Sequence, residues 1–495
     1  MGQPLESAQR SAILAMQVGV AAGLAARDLK DAYFVALLRH VGCTADAPAT
    51  ADLFGGDEIA ARGYLSLVDQ GKPSALVAAL ARNLGAGESP LRRARLFASA
   101  LIKLPRLAAA SRAHCEVAQS LADALGCGLR VREALGHTFE RWDGKGVGRK
   151  QGETISIAMR LVQVADDGQR FHRAGGISGA VAMLGARAGV ALDPALAGVL
   201  RADAAELFAS LDAPSIWDAA IAAEPGTPDY IADDRLDGAL QAMGAFADLK
   251  SSYTRGHSTG VAELAAGAAE RLGMSAGAVE EVRRAGYVHD MGRTGVAAGV
   301  WEKEGPLDER EWEAVRKHAG YTEQILARPP MLARLGALGS LDHERLDGTG
   351  YHQRPAESLP PGARLLAVAD MYQAMRETRP HRRPMPASEV AAVLDHEVAK
   401  GRLDRDAVTA VLQTADDRER RGRVARHPGG LSDVEIDVLR LVSRGLSDRQ
   451  VATEMGLPAA DVSRHLQFTY EKIGVTTRAA AAMFAMRNGL VGISR

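Results

Sequence analysis

Along most of the chain, apolar residues return every third or fourth position, the period of a helix with one buried face. Four such stripes can be followed in detail between 256 and 376. After Gly256, Val261, Leu264 and Ala268 share one face, and His257 continues that stripe back by one turn. Val279, Val282 and Gly286 lead at helical spacing to His289, with Asp290 next. A third helix opens with Asp308 and, three residues on, Glu311, the pattern of a capping box. Its apolar face is Trp312, Val315, Ala319, Thr322 and Leu326, with His318 at the edge. After Pro361, Ala363 and Leu366 lead to Asp370 on the same side. Each of four predicted helices therefore aims a His or an Asp at the interior.

A single interior His is usually a hydrogen-bonded core residue. Several together with carboxylates are different, because a buried unpaired carboxylate costs several kcal/mol and needs a cation or a proton. Imidazoles and carboxylates without thiolates suit one or two divalent ions of the Mn, Fe, Zn or Mg kind. A buried ion network without metal is the alternative reading.

Helical periodicity returns at the C-terminal end. Val434, Val438 and Leu441 form one stripe that Gly445 breaks. Val451 and Met455 form a short second one, and Gly456 turns the chain. Pro458 then opens a third helix carrying Val462, Leu466 and Ile473. A short helix, a Gly turn and a further helix at this spacing predict a helix-turn-helix. Residues 431–495 carry eight Lys/Arg against seven Asp/Glu, so electrostatic attraction to DNA is weak and a homodimer is expected.

The chain also resembles itself. RWDGKGV (141–147) matches RLDGTGY (345–351), VAD (164–166) matches VAD (368–370), and His114 falls opposite His318, all at an offset of 204. LLRHVGC (37–43) resembles YVHDMGR (287–293), but there the offset is 250. The expected domains are a first copy over 1–223, a connector at 224–239 rich in Pro, Gly and Asp, and a second copy over 240–412. A basic linker follows at 413–430, then the DNA-reading domain over 431–495. The first copy lacks the cluster. No His stands near Ser7–Gln9, Arg39-His40 replaces His289-Asp290, and Phe139 replaces His343. Only His114 and Asp166 remain, and two residues do not make a metal site.

Composition narrows the class. The chain has 495 residues, 47% apolar and only 4% aromatic, with a net charge of −1, so any nucleic-acid contact must be local. Three scattered cysteines form no disulfide framework or thiolate zinc site. No signal peptide or uninterrupted apolar span is visible, and a cytoplasmic protein without membrane contact is expected.

HSTGVA, HDMGR, KHAGYTEQIL, DHERLDGTGY and VAD, in that order, resemble the HD superfamily and its HD-GYP subgroup over about 150 residues. The C-terminal 60 residues resemble the LuxR-type domain. The resemblance implies an all-α chain, with two HD-type bundles in tandem followed by a four-helix LuxR-type helix-turn-helix. It implies metal ligands at His257, His289, Asp290, His318, Asp342, His343 and Asp370, around ions that activate water against a phosphate ester. Asp290 and Arg293 take catalytic roles, and Arg293, Arg379 and Arg382 bind phosphate unless the last two form a plain basic turn. Glu344 and Asp347 either support the ligands or serve turn chemistry.

Three positions depart from the subgroup. Asp342-His343 stands where two histidines are usual, Arg293 replaces a Lys, and Gly350-Tyr351-His352 replaces Gly-Tyr-Pro. The motif by itself therefore does not assign cyclic di-GMP. In the LuxR-type domain, residues 458–472 become the recognition helix. Arg464, His465 and Gln467 face bases or phosphates there, and Arg449 and Lys472 face the DNA backbone. Gln467 is otherwise an ordinary exposed helix residue. The expected function is a transcriptional regulator in which a metal-binding domain, taking a phosphorylated nucleotide, controls DNA binding. The alternative is an active metal-dependent phosphodiesterase for a phosphate ester or cyclic dinucleotide.

Overall fold

The computed structural model describes residues 2–69, 71–104, 107–421 and 427–491. Among them the protein is all-α, with isolated bridges in place of any named strand. No described helix is long and apolar enough to cross a membrane. The chain divides into two compact units, Met1–Ala232 and Asp233–Arg495. The boundary falls inside the stretch read as a connector, because the helix Asp233–Asp248 already begins there. Its apolar positions Leu240, Ala245 and Phe246 are buried, which keeps this polar-looking start helical.

In the first unit the helices Ser7–Ala21, Ala26–Leu38 and Ile157–Arg187 pack around Leu14, Val18, Val35, Leu161 and Val164. Helices from Ala47 to Lys103 build a separate small core around Phe54, Leu65, Leu80 and Ala100. This inserted module accounts for the jump in offset. Gly42 and His114 flank it, whereas their counterparts Gly292 and His318 are joined by a short connection. In both places the glycine meets the histidine backbone. A Cβ on Gly42 would lie 2.0 Å from the His114 carbonyl, and one on Gly292 would lie 1.8 Å from that of His318.

The match extends to loops. Glu140 accepts from the amides of Gly148 and Lys150, and Glu344 accepts from those of His352 and Arg354. Arg160 reaches Ile155 O and Asp193, and Arg364 reaches Leu359 O and Asp404.

The second unit centres on the helix His257–Arg271, which packs against Ala276–Val288 and Pro361–Arg376. Glycines permit the close approach. A Cβ on Gly286 would lie 2.6 Å from Ala262 Cα, and one on Gly260 would lie 2.4 Å from the Gln373 side chain. The capping box expected at Asp308 and Glu311 opens the helix Glu309–Leu326. The helix Arg405–Arg421 runs nine residues past 412, so part of the expected basic linker is helical. Residues 422–426 of that linker lie outside the described residues. The helices Asp433–Ser443, Asp448–Met455, Ala459–Ile473 and Arg478–Arg487 then form the four-helix C-terminal domain.

Candidate metal centre

Helix ends place the ligand types. His257 is the first residue of its helix, after Gly256 in left-handed conformation. His289 and Asp290 sit between the end of the helix Ala276–Val288 and the short turn Met291–Gly295. His289 Nδ1 lies 2.8 Å from Gly286 O, and His318 Nδ1 lies 2.5 Å from Val315 O. In each case the backbone one turn earlier fixes the ring and points Nε2 inward.

All seven expected ligands converge. Asp290 Oδ2 is 3.1 Å from His289 Nε2, 3.5 Å from His257 Nε2 and 2.8 Å from Arg293 Nη2. Its Oδ1 is 3.4 Å from His318 Nε2. Asp370 Oδ1 accepts from His257 Nε2 at 2.9 Å, and its Oδ2 is 3.8 Å from His343 Nδ1. Asp342 Oδ2 is 3.3 Å from His343 Nε2, which in turn is 3.2 Å from His318 Nε2. Three groups have mutually close ligand atoms: His257, His289 and Asp290; His318, Asp342 and His343; and His289, Asp342 and Asp370.

These residues suit a cation. His289 Nε2 and all four carboxylate oxygens of Asp290 and Asp342 are buried without a hydrogen-bond partner. The ion-pair approaches to Asp290 are close but not aligned for hydrogen bonding. Orphaned carboxylate oxygens in a dry site are costly unless an ion satisfies them. Moreover, two nitrogens each about 2.0–2.1 Å from one ion at a tetrahedral angle would stand roughly 3.3–3.4 Å apart, close to the 3.2 Å between His318 and His343.

The electrostatics point the same way. Burial pushes the Asp342 carboxyl up to about 7; His289 opposes this, while Asp370 and Asp290 add to it. Burial drives His343 down to about 3, leaving a neutral imidazole suited to ligation. Burial also disfavours charge on His257, but Glu377 and Asp370 outweigh it and lift the ring to about 9.

The cationic residues divide. Arg293 is buried, pairs with Asp290 and lies 5.3 Å over the Trp301 ring, while its Nε and Nη1 have no partner. It is the arginine with donors to spare at the cluster. Arg379 pairs with Glu377 and donates to Tyr253 O. Arg382 instead donates to Met375 O and Ala374 O, closing the C-terminal turn of the helix Pro361–Arg376. Its expected phosphate role is not supported, because those donors are already engaged.

Glu344 and Asp347 serve turns. Glu344 holds the amides of His352 and Arg354, and Asp347 holds Thr349 and Arg402. The His352 amide gives Glu344 a hydrogen bond that a proline there could not donate. Tyr351 stacks on the His343 ring at 4.4 Å.

Sequence reasoning missed Glu377, whose Oε2 is 3.0 Å from His257 Nδ1, and Gln373, which donates to Glu377. Glu377 stands seven residues after Asp370, directly past the end of the helix Pro361–Arg376, and that spacing from Asp370 was the available signal. The same reasoning placed Thr322 on an apolar face but missed the role of its hydroxyl, which accepts from the Gly292 amide and donates to His289 O.

In the first unit the corresponding place is self-satisfied. Asp166 accepts from Ser11, Arg39 and His40 within 3.0 Å, and Arg170 lies at 3.1 Å.

On the C-terminal domain, Arg449, Arg464 and Gln467 are exposed and His465 is partly so. Arg464 pairs with Asp461, and Gln467 donates to Glu471. Lys472 bonds Glu435 at 2.7 Å and Gly430 O, so it ties the first and third helices together. That engagement weighs against its expected phosphate contact.

Residues 241–407 match the HD domain family, and residues 430–485 match the luxR family of bacterial regulatory proteins. The 3'3'-cGAMP-specific phosphodiesterase 3 of Vibrio cholerae serotype O1 is 29% identical over 409 residues, 80% of this chain and 87% of that protein. A cyclic di-GMP phosphodiesterase of Thermotoga maritima is 30% identical over 209 residues, 40% of this chain and 56% of that one. A crystal structure of cyclic GMP-AMP specific phosphodiesterases in V. cholerae aligns with a TM-score of 0.56 at 25% identity, over 85% of this chain and 95% of that chain. The chain thus carries an HD domain, followed at its C-terminal end by a domain of the luxR regulatory family.

Proposed function

We propose that this protein is a DNA-binding regulator whose HD domain is a metal-dependent phosphodiesterase for a cyclic dinucleotide. The observation that carries the reading is the convergence of four histidines and three aspartates, with the buried carboxylate oxygens of Asp290 and Asp342 making no hydrogen bond. One or two divalent ions are held by His257, His289, Asp290, His318, Asp342, His343 and Asp370. When bound, such an ion lowers the pKa of water and screens phosphate charge.

The chain's own groups do the rest. Arg293 offers its unpartnered Nε and Nη1 to phosphate oxygens. Trp301 lies under its guanidinium, and Tyr351 covers His343. The similarity to a 3'3'-cGAMP-specific phosphodiesterase supports the substrate class. The matched 409 residues exceed the span of Asp233–Arg495, so the likeness reaches into the first unit. With the paired geometries at Gly42 and Gly292, this supports reading that unit as an HD copy that has lost its centre. The exposed residues of the helix Ala459–Ile473 read DNA.

A second reading, in which the centre senses the nucleotide without cleaving it, is favoured by Asp342 in place of a histidine. Metal analysis of the purified chain, with Mn2+-dependent hydrolysis of 3'3'-cGAMP and cyclic di-GMP, separates the two. Turnover lost in His289→Ala and Asp290→Ala supports hydrolysis. Bound metal without turnover of either compound, or of bis-p-nitrophenyl phosphate, overturns it in favour of sensing.

A further inference from the structure

The segment Ser251–His257 touches both the metal centre and the luxR-type domain. Its last residue, His257, donates to the cluster through Nε2 and engages Glu377 through Nδ1. Glu377 also takes Arg379, which donates back to Tyr253 O in the same segment. On the other side, Arg255 donates to Val442 O at 3.5 Å and Ser443 O at 3.3 Å. These carbonyls belong to the last turn of the helix Asp433–Ser443, and Val442 O also accepts from the Gly445 amide, so Arg255 adds a side-chain donor to that helix end. Gly256 and Gly445 seal the contact. A Cβ on Gly256 would lie 3.0 Å from Val491, and one on Gly445 would lie 3.3 Å from Ser252.

The C-terminal domain is docked, not tethered. Its last helix, Arg478–Arg487, is apolar on every side, with Ala479 through Met483, Ala485 and Met486 all buried. It lies between the helix Asp433–Ser443 of its own domain and the helix Asp233–Asp248 of the HD domain. A helix without a polar face must be covered on both sides.

The junction is also under-satisfied. Arg255 Nε and Ser443 Oγ are buried there without hydrogen-bond partners. A buried donor or hydroxyl left unpaired disfavours the arrangement that leaves it so, and a shift that pairs these groups is correspondingly favoured. A shallow open cleft lined by Arg255, Glu377, Arg444 and Val491 lies beside the junction.

We propose that the Ser251–His257 segment couples occupancy of the metal centre to the position of the helix Asp433–Ser443, with Arg255 as the positioning residue. The proposal rests on the metal-binding part of the functional reading above. His257 would give up its Nε2 bond to Asp370 when it serves as a ligand, and its ring would move against Glu377; as the first residue of its helix it would pass that shift along the chain to Arg255. By linkage, whatever the ion does to the DNA-reading domain, that domain does in return to ion affinity.

Hydrogen exchange of the full chain, with Mn2+ and with EDTA, tests this. Mn2+ is expected to change exchange at least threefold both at 257–290 and at 440–446. In Arg255→Ala the first change persists and the second is lost. Arg255→Lys, which keeps a donor, retains part of it and serves if the alanine variant does not fold. Calorimetric titration with Mn2+ should also show an affinity altered at least threefold in Arg255→Ala, although Arg255 is not a ligand. A response confined to 257–290 in the unaltered protein overturns the coupling alone. No Mn2+ response anywhere overturns both the coupling and the metal-binding reading beneath it.

Discussion

The Nε2 atoms of His318 and His343 face one another at 3.2 Å, and the Nδ1 of His318 is occupied by the Val315 carbonyl. With Nδ1 taken, Nε2 is the His318 atom left to bind, and it faces a second ring that burial keeps neutral. Replacing either ring by alanine should remove one ligand from the group formed with Asp342. Metal affinity should fall about 10- to 100-fold in each variant, by analogy with changes that merely misorient ligands. Metal content after dialysis against a graded chelator measures it; full retention in both variants would exclude these rings as ligands.

Ion binding should strengthen with pH. Divalent ions take deprotonated ligands. Without metal, burial holds the Asp342 carboxyl up to about 7. His257 stays protonated to about 9, because Glu377 and Asp370 outweigh its burial. Mn2+ affinity should therefore rise as pH climbs through 7 and continue rising towards 9. Asp342→Asn should flatten the part near 7 and leave the upper part. Titration calorimetry in buffers of different ionisation enthalpy reads the released protons directly.

The ion pair of Arg293 with Asp290 and its proposed contact with phosphate should be separable. Arg293→Lys keeps a charge near Asp290 but loses the planar fork over Trp301. Hydrolysis of the cyclic dinucleotide should drop at least tenfold while Mn2+ remains bound. Arg293→Ala should also destabilise the fold by about 3–5 kcal/mol, since a buried partner is left unpaired. Calorimetric melting of the full chain distinguishes the variants.

In the first unit, burial raises the Asp166 carboxyl, and Arg170, His40 and Arg39 more than reverse this, holding it well below the usual range. Its stabilisation is present above about pH 4 and is lost as pH falls through the folded value. Burial lowers His40, but Asp166 lifts it above its ordinary value of about 6.5. That contribution is present below the ordinary value and fades as pH rises through the folded one. Asp166→Asn should cost about 3–5 kcal/mol near neutrality and flatten both limbs. The pH dependence of exchange in the helix Ser7–Ala21 reports it.

Lys472 and Arg449 should separate when DNA affinity is measured against salt. Arg449→Ala should reduce the log–log slope by about 0.9, the value for one phosphate contact. Lys472→Ala should leave the slope unchanged and lower the melting temperature of the C-terminal domain, because Glu435 loses its 2.7 Å partner. A slope change in the lysine variant would restore its role at the DNA backbone.

Much of the centre was legible in the order of residues. Helical stripes are local, so the face carrying His257, Asp370 or His318 follows from neighbours three and four positions away. The helix-turn-helix and the capping box at Asp308 are local in the same sense. The self-similarity behind the proposed repeat was visible too, because loops such as those at Glu140 and Glu344 close on themselves within about ten residues.

What only the folded chain decided were pairings between distant segments. Periodicity names the inward face but not the atom that meets it. Glu377 joins His257 across 120 residues, Arg382 turns to a helix end, and Lys472 is taken by Glu435. The change of offset from 250 to 204 became the inserted core around Phe54 and Leu80 only once those helices were seen packed together. Likewise the burial of the helix Arg478–Arg487 against Asp233–Asp248 follows from packing over some 240 residues, a range at which side-chain shape decides and sequence spacing says nothing.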